Sequence, residues 1–297
     1  MIDTHAPAKL AHIRPCTPPE LLDRAFWVFG QRPGLFMVCA LVTALPGVFC
    51  LAAFTESVEA SSSPLKMAFY VLLFLLAELA DACGTAAAYQ TALHPDRPLK
   101  VEPLLNAAFA RLGIYVFTRM LVFLPVVWFG LFIPMRLLVS ETPATQNVAL
   151  MFLAAAGVLL ALRLFTQWIL ASAIVLVERL GHFKALQRSS TLMTWHYESP
   201  FRGDGPATRL MLLCLAPILI SIGLTGLCAL IYYQFAGADA LNAWAHNGLG
   251  PFFLFSATTG LASAVWWPGL AVLYIENLIR REAFDIQVML LDRQSEG

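Results

Sequence analysis

Glu78 and Asp81 stand three residues apart in "LLFLLAELADACG" (72–84), inside a long apolar run. On a helix that spacing puts both carboxyls on one face. Acids so placed are the groups a proton- or ion-coupled pathway would use, with Glu78 changing protonation. Two bases lie in later apolar runs, Arg119 and Arg163. At 1.5 Å per residue the acids fall roughly 16–21 Å, and Arg163 roughly 22 Å, from the outer ends of their runs; Arg119 lies roughly 9 Å in from the opposite side. A charge at the centre of a bilayer costs about 2.5–3.5 kcal/mol on insertion scales, so such groups seek partners. The spacing predicts an intramembrane polar set, Asp81 paired with Arg163 and Glu78 as a further acceptor. An ion pair that fixes helix register is the preferred role. A transport site calls for glycine-rich broken helices, and Gly84 supplies little of that.

A second group comprises Glu178, Arg188, Ser189, Arg280, Arg281 and Glu282. Its expected work is anchoring, with salt bridges tying the stretch after the fourth apolar run to the end of the sixth. The alternative is a lipid phosphate site built from Arg188, Arg280 and Arg281. His196 and Glu198 in "HYESPFRGDG" (196–205) have no partnered nucleophile or ligand spacing and read as loop. Trp266 and Trp267, before Pro268, read as packing at a kink. The six cysteines form no CxxC, and most lie in apolar runs, where a thiol behaves as a small hydrophobe. No histidine pair has metal-ligand spacing. Neither a cofactor nor a metal is expected, and no catalytic set emerges.

The elements that must position these residues are membrane helices. Charged residues make up 13% of the 297, about half the usual soluble share, and mean hydropathy is +0.71. Net charge is zero, so no nucleic-acid partner is expected. A spanning helix needs about 20 mostly apolar residues. Six runs qualify, roughly 35–55, 65–91, 113–139, 147–177, 207–235 and 252–279, with Pro46, Pro125, Pro134, Pro217 and Pro268 as candidate kinks. The first 33 residues lack a short apolar stretch with a small-residue cleavage site, so an uncleaved anchor is expected.

Lysine and arginine crowd one side: Lys9 to Arg32 before the first run, Arg97 to Arg111, Arg179 to Arg209, and the chain from Arg280 on. The other side has only Lys66 and Arg136, so both termini are expected in the cytoplasm. On that side "TPPELLDRAFWVFG" (17–30) opens with a capping box and places Leu21, Leu22, Ala25, Phe26 and Phe29 on one face. "VEPLLNAAFARLG" (101–113) and "GHFKALQRSSTLM" (181–193) repeat the amphipathic idea, the latter with Phe183, Leu186 and Met193. Each reads as a helix lying along the interface. "LLDRAF" and "LLNAAF" agree at four of six positions, and a proline-bearing span follows each interfacial stretch. The expected fold is an all-α integral membrane protein of six transmembrane helices with short cytoplasmic interfacial helices and a three-fold internal repeat. Residues 1–33 form a cytoplasmic segment, 34–282 the membrane domain and 283–297 a cytoplasmic tail.

Three stretches, in order, resemble a bacterial family named for the membrane portion of some glycerophosphoryl diester phosphodiesterases, which includes YciC-like proteins. Glu178, Gly181, Ala185, Leu186, Arg188 and Ser189 match its E-x-x-G-x-x-x-A-L-x-R-S pattern. Leu273, Tyr274, Arg280, Glu282, Phe284 and Asp285 match its closing L-Y-x-D-x-R-x-R-x-E-G-F-D, with Glu276, Leu278 and Ala283 as departures. Glu20, Leu22, Asp23, Arg24, Ala25 and Phe26 match its E-I-L-D-R-A-F opening. The resemblance implies a membrane module of the bacterial inner membrane without the catalytic barrel, which takes about 250 residues and does not fit here. The expected protein is a non-enzymatic envelope or lipid-associated scaffold; the alternative is a small proton- or ion-coupled transporter or channel. Expected partners are the bilayer, anionic lipid headgroups, and a second copy or another membrane protein.

Overall fold

Thr17 and the two prolines after it start the first helix, α1 (Pro18–Gln31), where the Thr17 backbone N–H donates to Glu20 Oε2 at 3.0 Å. The computed structural model describes residues 17–55, 64–95, 98–129, 144–194, 205–237 and 249–295. Among them the regular structure is entirely helical. After α1 come α2 (Pro33–Thr55), α3 (Pro64–Leu93), α4 (Val101–Val127), α5 (Ala144–Trp168), α6 (Ala171–Val177), α7 (His182–Met193), α8 (Pro206–Ala236) and α9 (Leu249–Ser295).

Among the described residues, five helical stretches are long and apolar enough to cross a membrane, and six if the bent pair α1–α2 counts as one span. That pair turns through 94°, so α1 lies crosswise to α2. Against α2 and α3 it buries Leu21, Ala25 and Val28, while Phe26 and Trp27 stay exposed. The stretch 101–113, expected as a separate interfacial helix, is instead the first part of α4. Pro103 falls in the first turn, where no helical hydrogen bond is lost, and Gly113 costs only about 1 kcal/mol, too little to break a helix. The fourth run, expected as one span, holds the single candidate span Ala155–Val177, with a turn at Ile169–Leu170 between α5 and α6. The sixth continues as helix to Ser295. Pro134, Arg136, His196 and Glu198 lie outside the described residues.

The chain divides into two units, Arg111–Leu210 with Tyr274–Gly297, and Cys16–Ala110 with Met211–Leu273. In the second, α2, α3, α8 and the first part of α9 pack on small residues. A Cβ on Gly260 would sit 2.6 Å from Ala44 Cα, and one on Gly47 2.6 Å from the Ala257 nitrogen, so α2 and α9 touch backbone to backbone. In lipid, where no hydrophobic drive joins helices, such close approach supplies the packing that does. Gly269 meets Leu213, and Thr225 and Thr258 share a 2.9 Å hydrogen bond between α8 and α9.

Replacing Gly260 with Leu forces this contact apart. We expect the variant to lose about 1–3 kcal/mol, read as a lowered unfolding midpoint in detergent. A Cβ on Gly223 would meet nothing within 4 Å, and that residue is exposed. Gly223→Leu should hold the wild-type midpoint; equal loss in both would refute the crossing.

Candidate functional site

The first unit gathers most of the charged group that the sequence singled out. The break at Ile169–Leu170 deprives the last turn of α5 of helical partners, and the Gln167 carbonyl there accepts from Ser189 Oγ at 2.7 Å. Ser189 thereby pins α7 to α5. The elbow between α6 and α7 turns at Arg179, whose φ of 56° lies in the left-handed region. Its carbonyl accepts from Arg111 Nη1 of α4 at 2.9 Å. His182, opening α7, packs edge-on against Phe117 of α4 with ring centroids 5.2 Å apart.

Glu178, at the elbow, accepts from Arg188 Nε at 3.2 Å and from Tyr274 Oη at 2.7 Å, both on Oε1. Tyr274 belongs to α9. One turn on, Asn277 Nδ2 donates to the Met193 sulfur at 3.2 Å. On another face of α9, Glu276 Oε1 accepts from Arg209 Nη1 of α8 at 2.8 Å and from Arg280 Nε at 2.6 Å. The side chains of Glu276 and Arg209 are each 1% exposed, so this charge pair is fully desolvated.

The elbow and α9 are thus tied among the described residues, and of the expected ion pairs Glu178–Arg188 is present. A phenol bridges Glu178 to α9, and Arg280 binds an acid four residues before it on its own helix. Helix α9 runs through Arg281 and Glu282, whose side chains lie outside the described residues. In the sequence, Arg209 stands out only as one base among those setting orientation. The signal for its role is a charge at the start of an apolar run, facing an acid at the end of another.

The intramembrane set divides differently from expectation. Asp81 is 5% exposed, and its Oδ1 accepts from the Trp267 indole Nε1 at 2.9 Å. Gly84, one turn on, faces the same ring: a Cβ there would come within 2.4 Å of Trp267 Cε3. Asp81 and Gly84 together form the seat of Trp267, and Tyr89 Oη donates to the Leu270 carbonyl just beyond at 3.3 Å. Arg163, the expected partner of Asp81, is exposed on α5. Arg119 lies 5.8 Å over the Phe123 ring, one turn along α4. Glu78 is half-buried on α3. Trp267, read as kink packing, also serves as a hydrogen-bond donor.

The spans carry their apolar side chains outward as well as inward. Only 17% of the apolar window of Val101–Val127, and of Thr208–Ala236, is buried within the protein, against 72% for Phe253–Arg280. Leu124, Leu219 and Phe152 are among the large side chains left bare. Such surface needs lipid, and the chain is a multi-pass α-helical membrane protein. Compared with protein-family models, with curated proteins and with solved structures, it matches none.

Glu276→Leu would leave Arg209 buried without its acid, a loss of about 3–5 kcal/mol. Combined with Arg209→Met, most of that stability should return, since the uncompensated charge is gone. Unfolding midpoints of the two singles and the double test this. A double as unstable as the sum of the singles would refute it.

Proposed function

We propose that the protein is a non-enzymatic scaffold or accessory module of the bacterial inner membrane, associated with envelope lipids and with both termini in the cytoplasm. Six spans and a three-fold internal repeat are part of this reading, as is kinship with the membrane portion of glycerophosphoryl diester phosphodiesterases. The observation that carries it is the mutual satisfaction of the charged motif residues. Glu178 holds Arg188 and Tyr274, and Glu276 holds Arg209 and Arg280. Glu178, Arg188 and Tyr274, which matched the family patterns, therefore act on one another, and the Glu276 set beside them also fixes helices, as a module that positions lipid or protein would require.

A second reading, a proton- or ion-coupled transporter, draws on Asp81, a carboxyl buried within a span and held by a neutral indole. Reconstitution in vesicles separates the two. The scaffold reading expects proton flux no greater than in protein-free vesicles. It also expects Asp81→Ala to cost about 1–3 kcal/mol, because the buried indole N–H loses its acceptor. Wild-type flux abolished by Glu78→Gln or Asp81→Asn, with the fold intact, would establish transport instead. For orientation, a reporter fused after Gly297 should respond from the cytoplasm; a response from the outer side would overturn the assignment.

A further inference from the structure

Helix α7 is held from beneath by Ser189 and His182, and among the described residues Phe183, Lys184 and Gln187 on its outer side are exposed. A groove of about 450 Å³ runs along it, lined by Leu121 of α4, Trp168 of α5, and Phe183, Leu186, Gln187 and Ser190 of α7, with Thr191 at its edge. All of these belong to one unit. The floor is apolar and comes from two helices that qualify as membrane spans. Met120 and Leu124, flanking Leu121 on α4, are exposed, so the groove continues into lipid-facing surface. Phe183 at its mouth is 70% exposed.

The rim is polar and basic. At helical spacing Lys184 stands beside the stripe of Gln187 and Thr191, and it is exposed. Arg188 follows one turn later, partly exposed and already bound to Glu178. Gln187 adds an amide and Ser190 a hydroxyl, both suited to phosphate and ester oxygens. Among the described residues beside the rim, the acid Glu178 is bound to Arg188 and Tyr274, and Lys184 adds a positive charge. An apolar trough leading from lipid to a basic, hydrogen-bonding rim is complementary to one kind of molecule.

We propose that this groove seats one phospholipid with an anionic headgroup, its acyl chain along Leu121, Trp168 and Phe183 and its phosphate at Lys184 and Gln187. This rests on the membrane placement proposed above and names the lipid site of that scaffold. Helix α7 then has a second role, since the helix that joins α4, α5 and α9 also reads the charge of the membrane surface.

Trp168 lets the groove be read directly. Full-length protein is reconstituted in phosphatidylcholine vesicles containing brominated-chain phosphatidylglycerol or, at equal mole fraction, brominated-chain phosphatidylcholine. Fluorescence lost in Trp168→Phe isolates the Trp168 signal from the other tryptophans. We expect that signal to be quenched about five-fold more effectively by the anionic lipid, the factor one lysine is worth at an anionic surface. Lys184→Glu should remove the preference while leaving quenching by the bilayer. Equal quenching by both lipids in the wild type would mean ordinary lipid contact and would overturn the proposal. Quenching by neither would mean that a second copy or another protein covers the groove, and would overturn it too. A readout without tryptophan changes is the phosphatidylglycerol retained through detergent purification, which Lys184→Glu should deplete; undiminished retention would count against the site. Proton flux in the wild type would overturn the scaffold and leave these outcomes untouched.

Discussion

One buried carboxylate organises the first unit. Glu276 takes two guanidinium groups on a single oxygen, one from its own helix and one from the start of α8. Removing a carboxylate and an arginine from water is costly, and only close pairing recovers the loss. The arrangement therefore tolerates little displacement: sliding α9 by one turn would strand Arg209 among apolar neighbours. With α9 set in register, Tyr274 reaches Glu178 and Asn277 reaches Met193. The elbow between α6 and α7 is then fixed from α9, from α5 through Ser189 and from α4 through Arg111. A helix of 12 residues such as α7 is marginal alone, and these attachments hold it.

The second unit solves a similar problem with less charge. Its helices meet where glycine and alanine allow backbones to touch, and hydrogen bonds such as Thr225–Thr258 and Trp267–Asp81 join them. Asp81 offers an acceptor that the Trp267 indole lacks within its own helix, and Gly84 clears the volume that the ring occupies. An indole buried in a membrane without an acceptor would be as awkward as the acid without a donor. The two polar groups are thus mutually explanatory. Asp81 serves packing as directly as Gly84 does.

How much of this was legible in the sequence differs by kind of information. Apolar run length located the spanning helices, because bilayer thickness fixes the length a span needs. It misjudged where helices end inside long runs. Nothing in 101–127 before Pro125 stops a helix, so α4 swallowed the stretch expected to lie flat. The motif residues Glu178, Arg188 and Ser189 were recognisable as a set, but their partners were not. Arg280 pairs with Glu276 four residues away, a spacing that could have been read directly. Arg209 pairs with the same acid from 67 residues away, which no local rule reaches. The indole that donates to Asp81 went unread for a different reason. Matching depths of charge favoured a cation, and a neutral donor 186 residues distant carries no charge to count. The acid followed by glycine one turn later was the usable signal, since it marks a helix face built to receive a large ring.

Where the charges stand along the spans explains why they are tolerated at all. Glu276 and Arg280 close the apolar stretch Phe253–Arg280, and Arg209 opens Thr208–Ala236. Both sites lie where a span meets the polar region, not at its centre. There the cost of a charge falls well below its midplane value. Helix α9, 47 residues or roughly 70 Å long, outruns a hydrocarbon core of about 30 Å. Its length alone would not fix how deep it sits. The triad does, because three charged groups locked together at the end of two spans resist being drawn into hydrocarbon. The triad thus joins Thr225–Thr258 and Gly269–Leu213 in holding the register between α8 and α9, and the amphipathic α7 is tied to that frame through Asn277 and Met193.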